Sequence, residues 1–354
     1  MSATLLAFIA AGQLAFFVAI FLMLVVYRAI DGRRKRRRRH ETERFSRILM
    51  DVLEDRLPSE RLIRVIRRTG GTVIVSVLHQ YASQLRGAPW ERVVDGVRQS
   101  EWYDRFVRSH ARSRFWWKRL AAARLLAIAG REEDLPLARP LIADRHPAIK
   151  VASIQIVRRL RDPSILETVL QEAIAARPVV RRYLFDTVVS VREALVPVLA
   201  DRLDRADATE DRRALITLAG ELAAVELFER LLGYVGHDAL EIRVAVARAL
   251  SGYPHPRTEA ALTGLLHDHE WQVRTQAASS LGVIRARNAQ GALQSALRDS
   301  NWWVRLRAGI ALRQLGPAGS RVLTDVEAGV DRFAQEMARY VLGLTDEAVA
   351  DYLT

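Results

Sequence analysis

The chain has 354 residues, is half hydrophobic, holds no cysteine and carries a formal net charge of +13. The absence of cysteine excludes disulfides and thiolate chemistry. Residues 28–39 hold eight basic side chains against Asp31, a net of +7, so the rest of the chain is only mildly basic at about +6.

Residues 4–27 run without a charge. As a helix they span about 36 Å, enough for a hydrocarbon core of about 30 Å. Tyr27 stands where an interfacial aromatic belongs. A cleaved signal peptide would place its basic residues ahead of a shorter apolar core, and here they follow it. Residues 1–30 are therefore expected to form one transmembrane anchor. Arg28, Arg33, Arg34, Lys35, Arg36, Arg37, Arg38 and Arg39 follow it, most of them in an Arg-rich linker at 31–40. Such a flank puts the N-terminus outside and the remainder in the cytoplasm. The expected location is the plasma (inner) membrane, single-pass, with anionic lipid head groups as partners of the basic run. The alternative for that run is nucleic acid.

Residues 41–115 read as a helical cap region. Phe45, Ile48, Leu49, Val52 and Leu53 share one helical face. Pro58 and the Gly70-Gly71 pair break the pattern. Helices are expected over 41–57, 59–68, 72–85, 89–99 and 101–110.

From 116 to 354 the chain repeats. Steps of 31 residues reach Arg119, Lys150, Arg181, Arg212, Arg243, Arg274, Arg305 and Glu336, all basic but the last. Seven residues after each step stand mostly apolar residues, among them Leu126, Val157, Leu250, Leu281 and Leu312. Three before each stand Trp116, Pro147, Pro178, Thr209, Leu240, Trp271, Trp302 and Phe333. A fixed period with a helical apolar pattern inside it means stacked helical hairpins. They pair 116–130 with 135–144, 147–160 with 163–174, 178–191 with 193–205, 210–225 with 226–235, 240–253 with 258–268, 271–284 with 289–299, and 302–316 with 319–330. The segments 332–345 and 346–353 close the array.

The phrases Asp268-His-Glu-Trp-Gln-Val-Arg274 and Asp299-Ser-Asn-Trp-Trp-Val-Arg305, each running on to Leu-Gly, resemble HEAT repeats. The short period and the Trp-x-Val-Arg phrase are similar to the phycobilin-lyase-like subclass. The resemblance covers about 116–345. It implies an all-α, right-handed α-solenoid, here preceded by one transmembrane helix, with second helices lining a concave face. It also implies that the Asp six residues before the ladder residue pairs with Arg between neighbouring repeats. Asp268/Arg274, Asp299/Arg305 and Asp144/Lys150 have that spacing.

Catalytic signatures are absent: no nucleophile elbow, P-loop or dinucleotide fingerprint occurs. The expectation is no enzyme and no cofactor, with a chromophore-lyase-like activity as an outside alternative. His267 and His269 two residues apart do not share a helix face, so no metal is expected there. The doubled tryptophans Trp116-Trp117 and Trp302-Trp303 sit six periods apart, with Trp271 in the same column. One of each pair is expected to pack at the start of its hairpin. Trp117, Trp271 and Trp303, together with Arg182, Arg213 and Arg307, are the candidate partner-binding residues. Arg158, Arg159 and Arg248 add charge that a nucleic acid could use, but interspersed acids make nucleic acid the lesser reading. The function expected is a membrane-anchored cytoplasmic scaffold that binds a membrane-associated protein partner along the solenoid.

Overall fold

A computed structural model of the chain describes residues 3–352, without the side chains of 3–15, 18, 19, 29, 34, 59 and 178. Every regular element among the described residues is helical. The chain divides into two compact units, Met1–Leu160 and Arg161–Thr354. The boundary falls between the two helices of the hairpin expected at 147–174.

The first unit begins with α1 (Ala3–Leu53), followed by α2 (Ser59–Ile66), α3 (Gly71–Ala82), α4 (Ala88–Arg98), α5 (Glu101–Ala111), α6 (Trp116–Ala129), α7 (Leu135–Ile142) and α8 (Pro147–Ile154). Residues 31–40, expected as a linker, are interior turns of the single helix α1. The reason is local. Gly32 is the one poor helix former in the stretch. Lys35–Asp31, Arg37–Glu41 and Arg39–Glu43 pair one turn apart at 2.7, 3.0 and 2.9 Å. Farther along, Phe45, Leu49 and Val52 are buried at helical spacing, and α1 packs there on α3 and α4. The helix ends before Asp55, which takes a left-handed φ of 57°, and Pro58 prevents its resumption. α3 buries Val73, Ile74, Val75, Val77 and Leu78, as a core helix does.

Among the described residues no helix is long and apolar enough to cross a membrane. Residues 4–15 of the expected anchor lie outside the described side chains. Beyond them, Phe16, Phe17, Phe21, Leu22, Met23 and Tyr27 are exposed on α1.

The second unit holds α9 (Pro163–Ile174), α10 (Pro178–Val189), α11 (Arg192–Arg205), α12 (Thr209–Leu222), α13 (Val225–Gly233), α14 (Leu240–Leu250), α15 (Pro256–Leu265), α16 (Trp271–Val283), α17 (Gln290–Ala296), α18 (Trp302–Gln314), α19 (Pro317–Glu327), α20 (Arg332–Leu342) and α21 (Asp346–Asp351). The first helices α10, α12, α14, α16 and α18 begin 31 residues apart, and α20 begins one residue early. α12, α14, α16, α18 and α20 pack each on the next, with Leu250, Leu281 and Leu312 fully buried. Gly220 and Gly282, two periods apart, have a packing cause. A Cβ on Gly220 would meet Ala249 Cα at 2.6 Å, and one on Gly282 would meet Ala311 Cα at 2.9 Å. The small pairs let neighbouring helices approach closely.

Candidate interaction surface

The ladder arginines are clasps. Arg243 donates from Nε to Asp268 Oδ2 at 2.7 Å and from Nη2 to Oδ1 at 3.0 Å. Arg274 grips Asp299 in the same way at 2.7 and 2.9 Å, and in the first unit Arg119 grips Asp144 at 2.6 and 3.1 Å. Each Asp lies 25 residues after its Arg, at the turn before the next first helix. There its Oδ1 also accepts the backbone N–H of Glu270, Asn301 or His146. The third nitrogen, Nη1, donates to carbonyls six and five residues back: Asp268 and His269 for Arg274, His237 and Asp238 for Arg243. One guanidinium thus ties the turn before its own helix to the turn before the next.

The pairing is between neighbouring repeats, as the resemblance implies. Arg274 and Arg305, six residues after Asp268 and Asp299, take those residues' backbone carbonyls instead of their carboxylates. The Arg243–Asp268 pair is 6% and 8% exposed. Burial alone would raise the Asp268 carboxyl, but the hydrogen bond and charge of Arg243 hold it below its ordinary value, and Asp144 and Asp299 are held the same way.

Where the Asp is missing the ladder improvises. Alanines stand at 175 and 206, and Arg181 turns to the carbonyls of Ala173, Ile174 and Ala176 and to Glu210. His237 stands in the Asp place before α14. Its Nδ1 accepts from Ala239 N at 3.0 Å, while Arg212 Nη1 lies 3.2 Å from its Nε2. With Nδ1 accepting, the neutral ring carries its proton on Nε2, so two donors face each other. Arg212 Nε is buried without a partner among the described residues. At the end of the array the early start of α20 puts Gly329 in the Asp place. Arg305 lies 5.1 Å over the Phe333 ring instead, and its Nε is likewise unpaired among the described residues. The same shift makes Gln335 the last step of the ladder: its amide donates to the Gly329 carbonyl six residues back. Glu336 pairs with Arg332 at the surface.

The tryptophans lie at the first turns of first helices, and both members of each pair stay exposed. In the first unit Trp117 is 50% exposed and stacks on Phe115 at 4.7 Å, while Trp116 stacks on His146 at 4.5 Å. In the second unit Trp271 is 38% exposed and Trp303 48%. Trp302 and Trp303 meet edge to face at 4.8 Å. The next repeat adds exposed Phe333. The expectation that one Trp packs away at each hairpin is not what the structure shows.

The candidate arginines differ in kind. Arg182 pairs with Asp186 at 3.3 Å, and Arg213 makes a two-point pair with Glu210 at 2.7 and 3.0 Å. Arg307 meets no carboxylate among the described residues; it donates to the Tyr352 carbonyl. Arg28, Arg33, Lys35, Arg36, Arg37, Arg38 and Arg39 are exposed around α1, and the Arg34 side chain lies outside the description. Consecutive residues turn 100° apart, so this collar faces every direction. His269 sits against Asp268 and Glu270, but Asp268 is already committed to Arg243. No group of three metal-ligating side chains occurs among the described residues.

Residues 196–282 and 258–343 match the family model of HEAT repeats, so the second unit contains HEAT repeats. The match does not reach the phycobilin-lyase-like subclass. Among solved structures the chain is similar to Kap121p bound to RanGTP, at 13% identity and a TM-score of 0.39, over 85% of this chain and 42% of that one. Kap121p bound to Nup53p aligns at 12% identity and 0.38, over 87% and 46%. The YIBA protein of Escherichia coli aligns at 15% identity and 0.33, over 76% and 98%. The chain spans less than half the length of the Kap121p chains. No curated protein matches the sequence.

Proposed function

We propose that this protein is a non-enzymatic scaffold that docks a protein partner on its repeats and is tethered to a membrane by the start of α1. The observation that carries the reading is the row of exposed aromatics at first-helix starts, Trp271, Trp302, Trp303 and Phe333 in the second unit. Recurrent polar groups in the same turns are consumed by the clasps, so the aromatics are what the repeat edge offers to a partner. Rigid, half-exposed indoles are the side chains on which interfaces concentrate their energy.

The tether rests on the charge-free run 4–27 and the exposed apolar side chains that continue it on α1. The basic collar beyond Tyr27 orients it, with the repeats on the cytoplasmic side of the plasma membrane. Because the helix rises about 1.5 Å per residue, Arg28 and Arg33 lie within about 9 Å of Tyr27 and reach lipid phosphates, whereas Arg39 stands about 18 Å away. Tethering raises the local concentration of the repeats toward membrane-bound partners, so a membrane-associated enzyme or envelope assembly is the partner favoured. Nucleic acid is disfavoured, since Arg182 and Arg213 are neutralised by Asp186 and Glu210.

The test is crosslinking in native membranes with the wild type and with Trp271→Ser/Trp303→Ser. A specific protein adduct that falls at least about tenfold in the variant supports the reading, that factor being the loss of one modest hot spot. No adduct, or equal capture by both, overturns it.

A further inference from the structure

Two arginines on neighbouring first helices of the second unit are held by neutral acceptors alone. Arg248, near the end of α14, sends both Nε and Nη2 to one neutral acceptor, Gln276 Oε1 on α16, at 3.3 and 3.2 Å. The Gln276 amide is held by its own donor, Nε2 to Ser280 Oγ at 3.2 Å. On α18, Arg307 donates from Nη1 to the backbone carbonyl of Tyr352. Neither arginine meets a carboxylate among the described residues. Arg248 reaches Gln276 across the α14–α16 contact, and Gln276 and Arg307 hold equivalent positions, each five residues after the start of its helix, on α16 and α18, which pack together. The two arginines are close enough to feel each other: burial first, and then the Arg248 charge, push the Arg307 guanidinium below its ordinary value. By contrast, Arg243 on α14 and Arg274 on α16 each hold an aspartate. Here the fold holds two like charges together, one of them half-buried, with only neutral acceptors.

Such a pair is a cost in the empty state that a bound anion relieves. The forked donors of Arg248, now doubled onto a single amide oxygen, match the two oxygens of an oxyanion. We propose that Arg248, Gln276 and Arg307 form a binding site for an oxyanion, a carboxylate or phosphate group, presented by a protein partner. The assignment of that group to a protein rests on the scaffold reading; the anion site itself does not.

The experiment follows thermal unfolding of the full chain in non-ionic detergent at fixed ionic strength, titrating inorganic phosphate and, separately, hexaglutamate. The melting temperature is expected to rise by about 1–2 °C with at least one of them, the shift for about 1 kcal/mol of linked binding in a chain this size. Arg248→Gln and Arg307→Gln each lose most of that rise, and Arg307→Gln melts no lower than the wild type without anion. Arg182→Gln, whose guanidinium already holds Asp186, keeps the rise. A response to phosphate alone identifies a phosphorylated group, and one to hexaglutamate alone a carboxylate. Arg248 is exposed, so its variant folds and keeps the test decisive if Arg307→Gln does not. No rise with either probe, or an undiminished rise in Arg248→Gln, overturns the site. A rise with duplex DNA alone overturns the protein assignment. An anion response lost in Arg248→Gln, with no crosslinked partner, leaves the site standing and removes the scaffold reading.

Discussion

At the scale of the residue, the clasp is the recurring device. Removing Asp268 strands the Arg243 guanidinium and the Glu270 amide in a nearly dry turn. Breaking a buried ion pair by one partner is far worse than replacing both. Asp268→Ala is expected to cost about 3 kcal/mol by urea denaturation, and Arg243→Met/Asp268→Leu much less. The pH dependence has a definite sign. Asp144, Asp268 and Asp299 have folded values below the ordinary 3.8. The stability they contribute is present in full above that value and is lost as pH falls through the lower folded one. The urea midpoint of the wild type should drop below about pH 4, and Asp268→Asn/Asp299→Asn should drop less over the same interval. His237→Asp supplies the missing acceptor to Arg212 while keeping the Ala239 contact, and should stabilise by about 1–2 kcal/mol.

The ladder was legible from spacing because every repeat needs a donor at one point of the first helix. Its pairing was not. Asp268 lies six residues before one arginine and 25 after another, and the spacing alone does not say that the nearer takes the carbonyl. The one-residue deletion before α20 hid Gln335, since a fixed step of 31 lands on Glu336.

At the scale of the element, α1 departs most from its sequence. A run of arginines reads as a solvated connector, but the one-turn pairs to Asp31, Glu41 and Glu43 keep the helix unbroken into the buried Phe45, Leu49 and Val52. Those acids were visible; their effect depends on the helix continuing on both sides, which local composition does not reveal. The consequence is a stiff stalk between Tyr27 and the packed end of α1 at Phe45–Val52. Spin labels at positions 27 and 47 should show one narrow distance distribution near about 30 Å, from 1.5 Å per residue. Arg36→Pro, which removes a backbone donor and collides with the preceding turn, should broaden and shorten it. A broad distribution in the wild type would contradict the continuous helix. The other helices were legible from apolar periodicity, with ends displaced by a few residues where short 3-10 turns such as Gln155–Arg158 intervene.

At the scale of the whole molecule, two units share one repeat grammar, and the HEAT match lies within the second. The division at Leu160 runs through a hairpin that periodicity treats as whole. It is not written in the period, because each repeat obeys the same pattern whichever unit it packs with. The tryptophans were legible as candidates but not as exposed pairs, since exposure depends on the packing around the helix starts, which spacing does not reveal. Two sets of residues share those turns: arginines that hold the repeats together, and aromatics that face outward. One measurement tests that separation most directly: stability and partner crosslinking measured in parallel for Arg274→Met/Asp299→Leu and for Trp271→Ser/Trp303→Ser. The clasp variant is expected to change the unfolding midpoint yet capture the partner normally while folded, and the tryptophan variant to unfold like the wild type and lose the partner. Loss of capture in the folded clasp variant, with full capture by the tryptophan variant, would contradict it.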